Sequence, residues 1–237
     1  MKILALNLDR LGPSSGSRLG NLVRYFRASA ADVLVLPEFK SSLFKTLVTK
    51  QLDEDGYRYY STSEVSGPNQ LGVAVFSCHK ATPVPLSPPA IDKHRITALD
   101  MGGLVVAGVY FAQGNEKFTL FDFLLSEPQQ FSGPTLIMGD FNTGLHFVDE
   151  TGATLIAESR FKQLADCGWK DLWRVEHGER REYSWISNAG NGFRLDHAFA
   201  RRIKRKVVDC YYDHGTRGTG GAVPKLSDHS AMIVELE

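Results

Sequence analysis

Residues Thr135-Leu136-Ile137-Met138 form an apolar run without polar interruption, and Gly139-Asp140-Phe141-Asn142 follows at once. Such a run reads as a strand covered on both faces, so the chain must fold in layers around it. Gly139 frees the backbone to turn as it leaves the sheet, which predicts Asp140 and Asn142 at the mouth of a buried strand. Open α/β sheets present their chemistry at that end. An Asp in such a turn more often caps the turn with its own carboxylate than it reacts, so the pattern gains meaning only from partners elsewhere in the chain.

Those partners exist. Lys2 to Leu6 runs into Asn7-Leu8-Asp9, Asp32 to Leu36 runs through Pro37 into Glu38, and Leu104 to Val109 ends in Tyr110. Ser227-Asp228-His229-Ser230 opens the last strand, Ala231 to Leu236, and Phe193-Arg194-Leu195-Asp196-His197 lies in an aromatic-rich strand that continues to Ala200. Asn, Glu, Tyr, Asp, Asn, Asp, Asp and His at strand ends are the groups a hydrolase uses.

Alternation of β-runs with helical stretches predicts strands at 2–6, 33–36, 57–62, 72–78, 95–100, 104–110, 134–138, 182–187, 193–200, 206–212 and 230–236. Helices are expected at 17–30, with Ser17 as its cap, and at 41–52, 116–126 and 158–166. Runs of consecutive strands beside single helices argue against a simple doubly wound sheet. The expectation is an α/β four-layer sandwich of two mixed β-sheets flanked by helices. No linker, repeat or low-complexity tract divides the 237 residues, so a single domain over 1–237 is expected. No apolar stretch approaches the ~20 residues of a membrane span, and polar residues break the N-terminal apolar stretch early, so no membrane association and a cytoplasmic location are expected. A monomer is the default. Cys78, Cys167 and Cys210 are odd in number and scattered, and read as small buried hydrophobes.

In order, NLD, PE, Y, GDFN, RLDH and SDH resemble the endonuclease/exonuclease/phosphatase superfamily of Mg-dependent phosphoesterases, most closely its exonuclease III and abasic-site endonuclease branch. DNase I-like and sphingomyelinase-like members carry a His just after the strand that here ends in Tyr110, and Phe111-Ala112-Gln113-Gly114 has none. The resemblance implies Mg²⁺, with Mn²⁺ as a substitute, on Glu38, with Asn7 beside or behind it and Asp9 and Asp228 nearby. It implies Asp140 as the base that takes or orients the attacking water's proton, Asn142 as a donor to the phosphoryl oxygen, His229 oriented by Asp196, and Tyr110 toward the phosphate or leaving oxygen. Trp185, Phe193 and Leu195 map onto the pocket that accepts a flipped, baseless sugar, although ordinary sheet packing accounts for aromatics in strands equally well. Arg217 and Lys225, in an acid-free stretch beside the SDH motif, are candidates for a phosphate backbone. The remaining histidines, His79, His94, His146, His177, His197 and His214, read as ordinary hydrogen-bonding residues.

DNA, single- or double-stranded, is the expected partner, with incision at abasic sites, 3′ trimming or less specific cleavage in repair as the expected activity. The alternative is a phosphatase or diesterase of a small or lipid-linked phosphate, or an RNase. Zero net charge, 27 Lys and Arg against 27 Asp and Glu, favours that alternative. A catalytically silent binding module is disfavoured because Glu38, Asp140, Asn142, Asp196, Asp228 and His229 would have no physical reason to occur together.

Overall fold

The computed structural model describes residues 1–11, 16–41, 50–126, 129–218 and 224–237. The apolar runs become the inner strands of two six-stranded mixed sheets. Across the first sheet lie β13 (Val207–Asp213), β14 (Ala231–Leu236), β1 (Lys2–Ala5), β2 (Val33–Lys40), β4 (Leu71–Ser77) and β3 (Tyr59–Thr62). Across the second lie β5 (Thr82–Pro83), β6 (Ile96–Asp100), β7 (Val105–Tyr110), β8 (Thr135–Asp140), β12 (Asp196–Arg201) and β9 (Lys170–Asp171). Each sheet holds one parallel pair, β1 with β2 and β7 with β8, and every other pairing is antiparallel.

Three apolar clusters define the layers. Ile3, Val35, Val106, Met138, Ala198 and Val234 meet between the sheets. Leu4, Leu34 and Phe76 face outward from the first sheet onto Leu22 and Phe26 of α1 (Gly16–Ser29). Ala107, Ile137 and Phe199 face outward from the second sheet onto Leu120, Phe121 and Leu124 of α2 (Lys117–Leu125) and Phe161 and Leu164 of α3 (Glu158–Asp166). Helix, sheet, sheet, helix is the expected four-layer sandwich. It explains why β8 is buried along its whole length: its two faces serve two different clusters.

Several local expectations are corrected. Gly139 is not the point where the chain leaves the sheet; it is a β8 residue at φ 139°, and a Cβ there would sit 2.1 Å from the Val109 carbonyl oxygen of β7. The turn falls at Asn142, φ 50°. Ser17 stands one residue inside α1 rather than capping it. The strand expected over 193–200 is broken at Arg194 and Leu195: Phe193 belongs to a short hairpin, β10 (Trp185–Ile186) with β11 (Gly192–Phe193), and β12 begins at Asp196. The expected helix over 41–52 falls largely on 42–49, outside the described residues. A one-and-a-half-turn helix, α4 (Leu172–His177), was not expected; its cap Asp171 accepts the Arg174 N–H at 3.2 Å. Of the cysteines only Cys210 is buried, Cys78 being exposed and Cys167 half-buried.

Candidate active site

The parallel pairs deliver their C-terminal ends to one place. Asn7 follows β1, Glu38 lies near the end of β2, Tyr110 ends β7 and Asp140 ends β8. Asp196, at the start of antiparallel β12, is the register partner of Asp140, which is in turn the partner of Tyr110. The first sheet contributes His229 from the other side, just before β14. Asp9, Glu38 and Asn142 hold positive φ (46°, 59° and 50°), backbone strain of the kind that clusters at functional sites. The strain at Glu38 coincides with a bulge between Pro37 and Phe39, which re-aims the side chain at the sheet end.

Asp140 is 2% exposed. Its Oδ1 accepts the Asn142 backbone N–H at 2.8 Å, and its Oδ2 accepts from Asn7 Nδ2 at 3.0 Å and from Asn142 Nδ2 at 3.3 Å. The turn-capping bond is therefore made, and the same carboxylate still faces the other site residues. Burial pushes the Asp140 carboxyl up to about 7, the nearby His229 opposing and Asp196 reinforcing the rise. Asn142 also donates from Nδ2 to the Phe111 carbonyl at 2.8 Å.

His229 Nδ1 lies 2.7 Å from Asp196 Oδ2, with both residues buried. Burial alone would lower its pKa, but Asp196 overrides it and, with Asp140 and Asp228, holds the imidazolium up to about 10. The shift favours the charged form of His229, where the sequence left it as donor or acceptor. Burial, then the charges of Glu38 and Asp140, push the Tyr110 phenol well above its usual value. Arg95, which the sequence reading missed, lies over the Tyr110 ring at 5.6 Å from its centroid.

The candidate oxygen ligands fall in two groups. Glu38 stands by Tyr110 and Asp140 and accepts the Arg10 N–H at 2.8 Å. Burial, followed by the charge of Asp228, raises the Asp9 carboxyl. Arg18 at 3.5 Å and Lys225 at 4.0 Å offset part of that repulsion. Among the described residues no three His, Cys, Asp or Glu side chains converge to cage an ion. All four candidate ligands offer oxygen, the donor a hard cation requires, and the Asp9–Asp228 repulsion is of the sign a cation relieves.

Trp185 Nε1 donates to Asp228 Oδ2 at 3.0 Å, and its ring packs 5.7 Å from Phe193 and 6.5 Å from His229. Both aromatics are half-buried on the hairpin beside the site, while Leu195 is buried. Arg217 and Lys225 line a cavity of about 360 Å³ together with Ile186, His214, Gly218 and Asp228. Burial lowers the Arg217 pKa, and its Nη2 lies 3.1 Å from His214 Nδ1. His79, His146, His177 and His197 hold Asp32, Leu155 O, Cys210 O and Thr143 O, the ordinary roles expected of them.

The sequence reading assigned no role to the supporting residues, although Arg194 and Ser227 lie in or beside its motifs. Arg18 donates to the carbonyls of Leu8, Asp9 and Leu226, tying the loop after β1 to the loop before His229. Ser184 Oγ accepts the N–H groups of Leu195 and Asp196 at 3.0 and 3.1 Å, while its carbonyl accepts the Ser230 N–H at 2.8 Å. Ser227 Oγ donates to the Asn7 carbonyl at 2.6 Å and accepts the His229 N–H at 3.0 Å. Behind the site, Arg194 is fully buried against Asp149 and Asp171 at 2.6 Å each. An Arg or Ser in a polar stretch carries no signal that it will be buried by a segment far away in sequence.

The fold is shared with solved structures at low identity. An AP endonuclease from Archaeoglobus fulgidus superposes with a TM-score of 0.79 at 22% identity, covering 100% of this chain and 99% of the other. The 3′ phosphatase NExo from Neisseria, bound to a product DNA hairpin, gives 0.78 at 22% over 100% and 99%. The 3′-5′ exonuclease NExo from Neisseria meningitidis gives 0.76 at 22% over 100% of both chains. No curated protein matches the sequence. The model of the Endonuclease/Exonuclease/phosphatase family matches residues 4–229, which include every candidate site residue, and the chain belongs to that family of divalent-metal-dependent phosphodiester hydrolases.

Proposed function

We propose that this single catalytic domain is a Mg²⁺-dependent nuclease that acts on DNA, cutting at abasic sites or trimming 3′ ends, in the cytoplasm and in DNA repair. The observation that carries the reading is the convergence in one cleft of Asp140, held by Asn7 and Asn142, with the His229–Asp196 pair at 2.7 Å. Asp140 is a carboxylate raised to about 7, and His229, its charged form favoured, is held by Asp196. Groups whose environments push their pKa values apart divide acid and base work between them.

Glu38, with Asn7, Asp9 and Asp228 about it, would hold Mg²⁺, which supplies charge stabilisation at a non-bridging phosphoryl oxygen. Asp140 takes the proton of the attacking water, oriented by the Asn7 and Asn142 donors on its two oxygens. The longest of those contacts, Asn142 Nδ2 to Asp140 at 3.3 Å, is the one a phosphoryl oxygen would replace. His229 presents Nε2–H to the charge developing on phosphorus, while Nδ1 stays on Asp196. Tyr110 keeps its proton and donates toward the phosphate or leaving oxygen. Trp185 and Phe193 form an aromatic wall for an extruded sugar, and Arg217 and Lys225 meet a flanking phosphate.

Zero net charge supports a second reading, a phosphatase or diesterase of smaller esters or an RNase. The test is cleavage of end-labelled duplexes, intact or with one abasic-site analogue, with single strands and RNA alongside and Asp140→Asn as control. Mg²⁺-dependent incision beside the lesion, absent in the variant, establishes the repair endonuclease. Shortening from 3′ ends makes it an exonuclease, and turnover of RNA or small esters alone sinks the DNA assignment.

A further inference from the structure

Lys117 opens α2 on its core-facing side, in line with Leu120, Phe121 and Leu124, and is 2% exposed. An apolar residue would satisfy that position, and an ammonium taken out of water is costly unless something needs it. Among the described residues no carboxylate forms an ion pair with it. Its Nζ donates instead to the backbone carbonyl of Asn142. Asn142 is non-glycine at φ 50°, the turn that closes the Asp140 to Asn142 segment. Its own N–H goes to Asp140 Oδ1 and its carboxamide to the Phe111 carbonyl, each at 2.8 Å. The third polar group of the residue, its carbonyl, is held from outside the turn by Lys117.

We propose that Lys117 is a positioning residue: its ammonium clamps the Asn142 carbonyl, locks the left-handed turn, and so aims the Asn142 carboxamide and Asp140 carboxylate at the reacting phosphate. This rests on the nuclease reading above. The surroundings agree with it. Burial pushes the ammonium down to about 8 while the negative charge of Asp140 pulls it back up, so the lysine stays positive in neutral solution and faces the group it supports. A lysine kept for stability would bridge an acid or reach solvent, and Lys117 does neither.

The test compares wild type with Lys117→Met and Lys117→Arg, measuring kcat, KM and Tm with Mg²⁺ on an abasic-site duplex and on a small chromogenic phosphodiester. Met removes the clamp and the buried charge together, so kcat should fall about ten- to hundredfold on both substrates with KM within about twofold, the pattern of an interaction that acts in the transition state. Tm should hold or rise. Arg, which keeps a donor, should recover part of kcat. Wild-type kcat in Lys117→Met overturns the proposal, as does a loss confined to KM or to Tm. Failure of both variants to fold assigns Lys117 to the core and overturns it too. If wild type itself turns over neither substrate, the nuclease reading has failed first; an active wild type with an equally active Met variant sinks this inference alone.

Discussion

His229 and Asp196 belong to different sheets and meet at 2.7 Å, Nδ1 to Oδ2, across the interface between them. Asp196 starts β12 in the second sheet, while His229 precedes β14 in the first and bridges to Trp185 of the β10–β11 hairpin. The His229–Asp196 pair therefore forms only when both sheets are packed, and the charge on His229 reports on the fold.

That charge sets a pH dependence of stability. The folded-state pKa of His229, up to about 10, lies above its ordinary 6.5, so the pair's stabilisation is full below about 6.5 and is lost as pH rises through about 10. Urea unfolding across that window should show wild type losing stability and Asp196→Asn losing much less. Parallel curves for the two proteins would mean His229 is not held charged.

Asp140 differs in that its charged form is the disfavoured one. Its raised folded pKa means that stability is lost as pH rises from about 4 to about 7, and the full penalty for ionising the buried carboxyl is in place above that. Asp140→Asn should thus be as stable as wild type, or more so, at pH 8 while losing about 10²- to 10⁴-fold in kcat, the range for a general base. Circular dichroism with steady-state kinetics separates the two effects. A variant of normal activity would remove Asp140 from the reaction.

Glu38→Gln keeps the shape of the bulged β2 end and removes its charge. The Mg²⁺ concentration for half-maximal activity should rise at least about tenfold, since ligand charge dominates affinity for a hard cation. An unchanged metal titration would assign the ion to Asp9 and Asp228 instead.

Arg194 is buried against Asp149 and Asp171, which it holds below the usual carboxylate range. Arg194→Met leaves Asp149 with Arg174 as its one guanidinium partner among the described residues and Asp171 with none, and should cost about 3–5 kcal/mol in urea unfolding. Because both folded pKa values are depressed, the wild-type contribution is present above about 4 and is lost on further acidification, whereas Arg194→Met should already be weak at neutral pH. A loss below about 1 kcal/mol would show that the network relaxes around the missing guanidinium.

Arg217→Ala and Lys225→Ala should weaken DNA binding and flatten the plot of log K against log salt by about 0.7–0.9 for each phosphate contact removed. Neither should alter turnover of a small phosphodiester. An unchanged slope would take the cavity they line out of the interface.

Much of this was legible in the chain. β8 announced itself because an uninterrupted apolar run has only one use, and α3 over Glu158–Asp166 fell where its residues were expected. Asn7, Glu38, Tyr110, Asp140, Asn142, Asp196, Asp228 and His229 were visible as isolated polar groups at strand ends. Arg18, Ser184, Arg95 and Lys117 were not. Lys117 sits in a helix whose pattern calls position 117 apolar, and Ser184 is one serine among polar neighbours; the backbone groups each one holds come from other segments.

The sequence by itself determined which apolar runs become the inner strands and which chemical groups stand near their ends, because strand periodicity and turn chemistry are written within a few neighbouring residues; it did not set every boundary, since the run over 193–200 breaks at Arg194 and Leu195. Only the tertiary structure decided which groups face one another and in what charge state. Asn7 and Asp140 are 133 positions apart and Asp196 and His229 are 33 apart, and the carboxyl near 7 beside an imidazolium near 10 arises from burial and from neighbours that the two sheets supply. A pKa belongs to a three-dimensional environment: desolvation and Coulomb interaction depend on distance through space, and distance along the chain does not encode it.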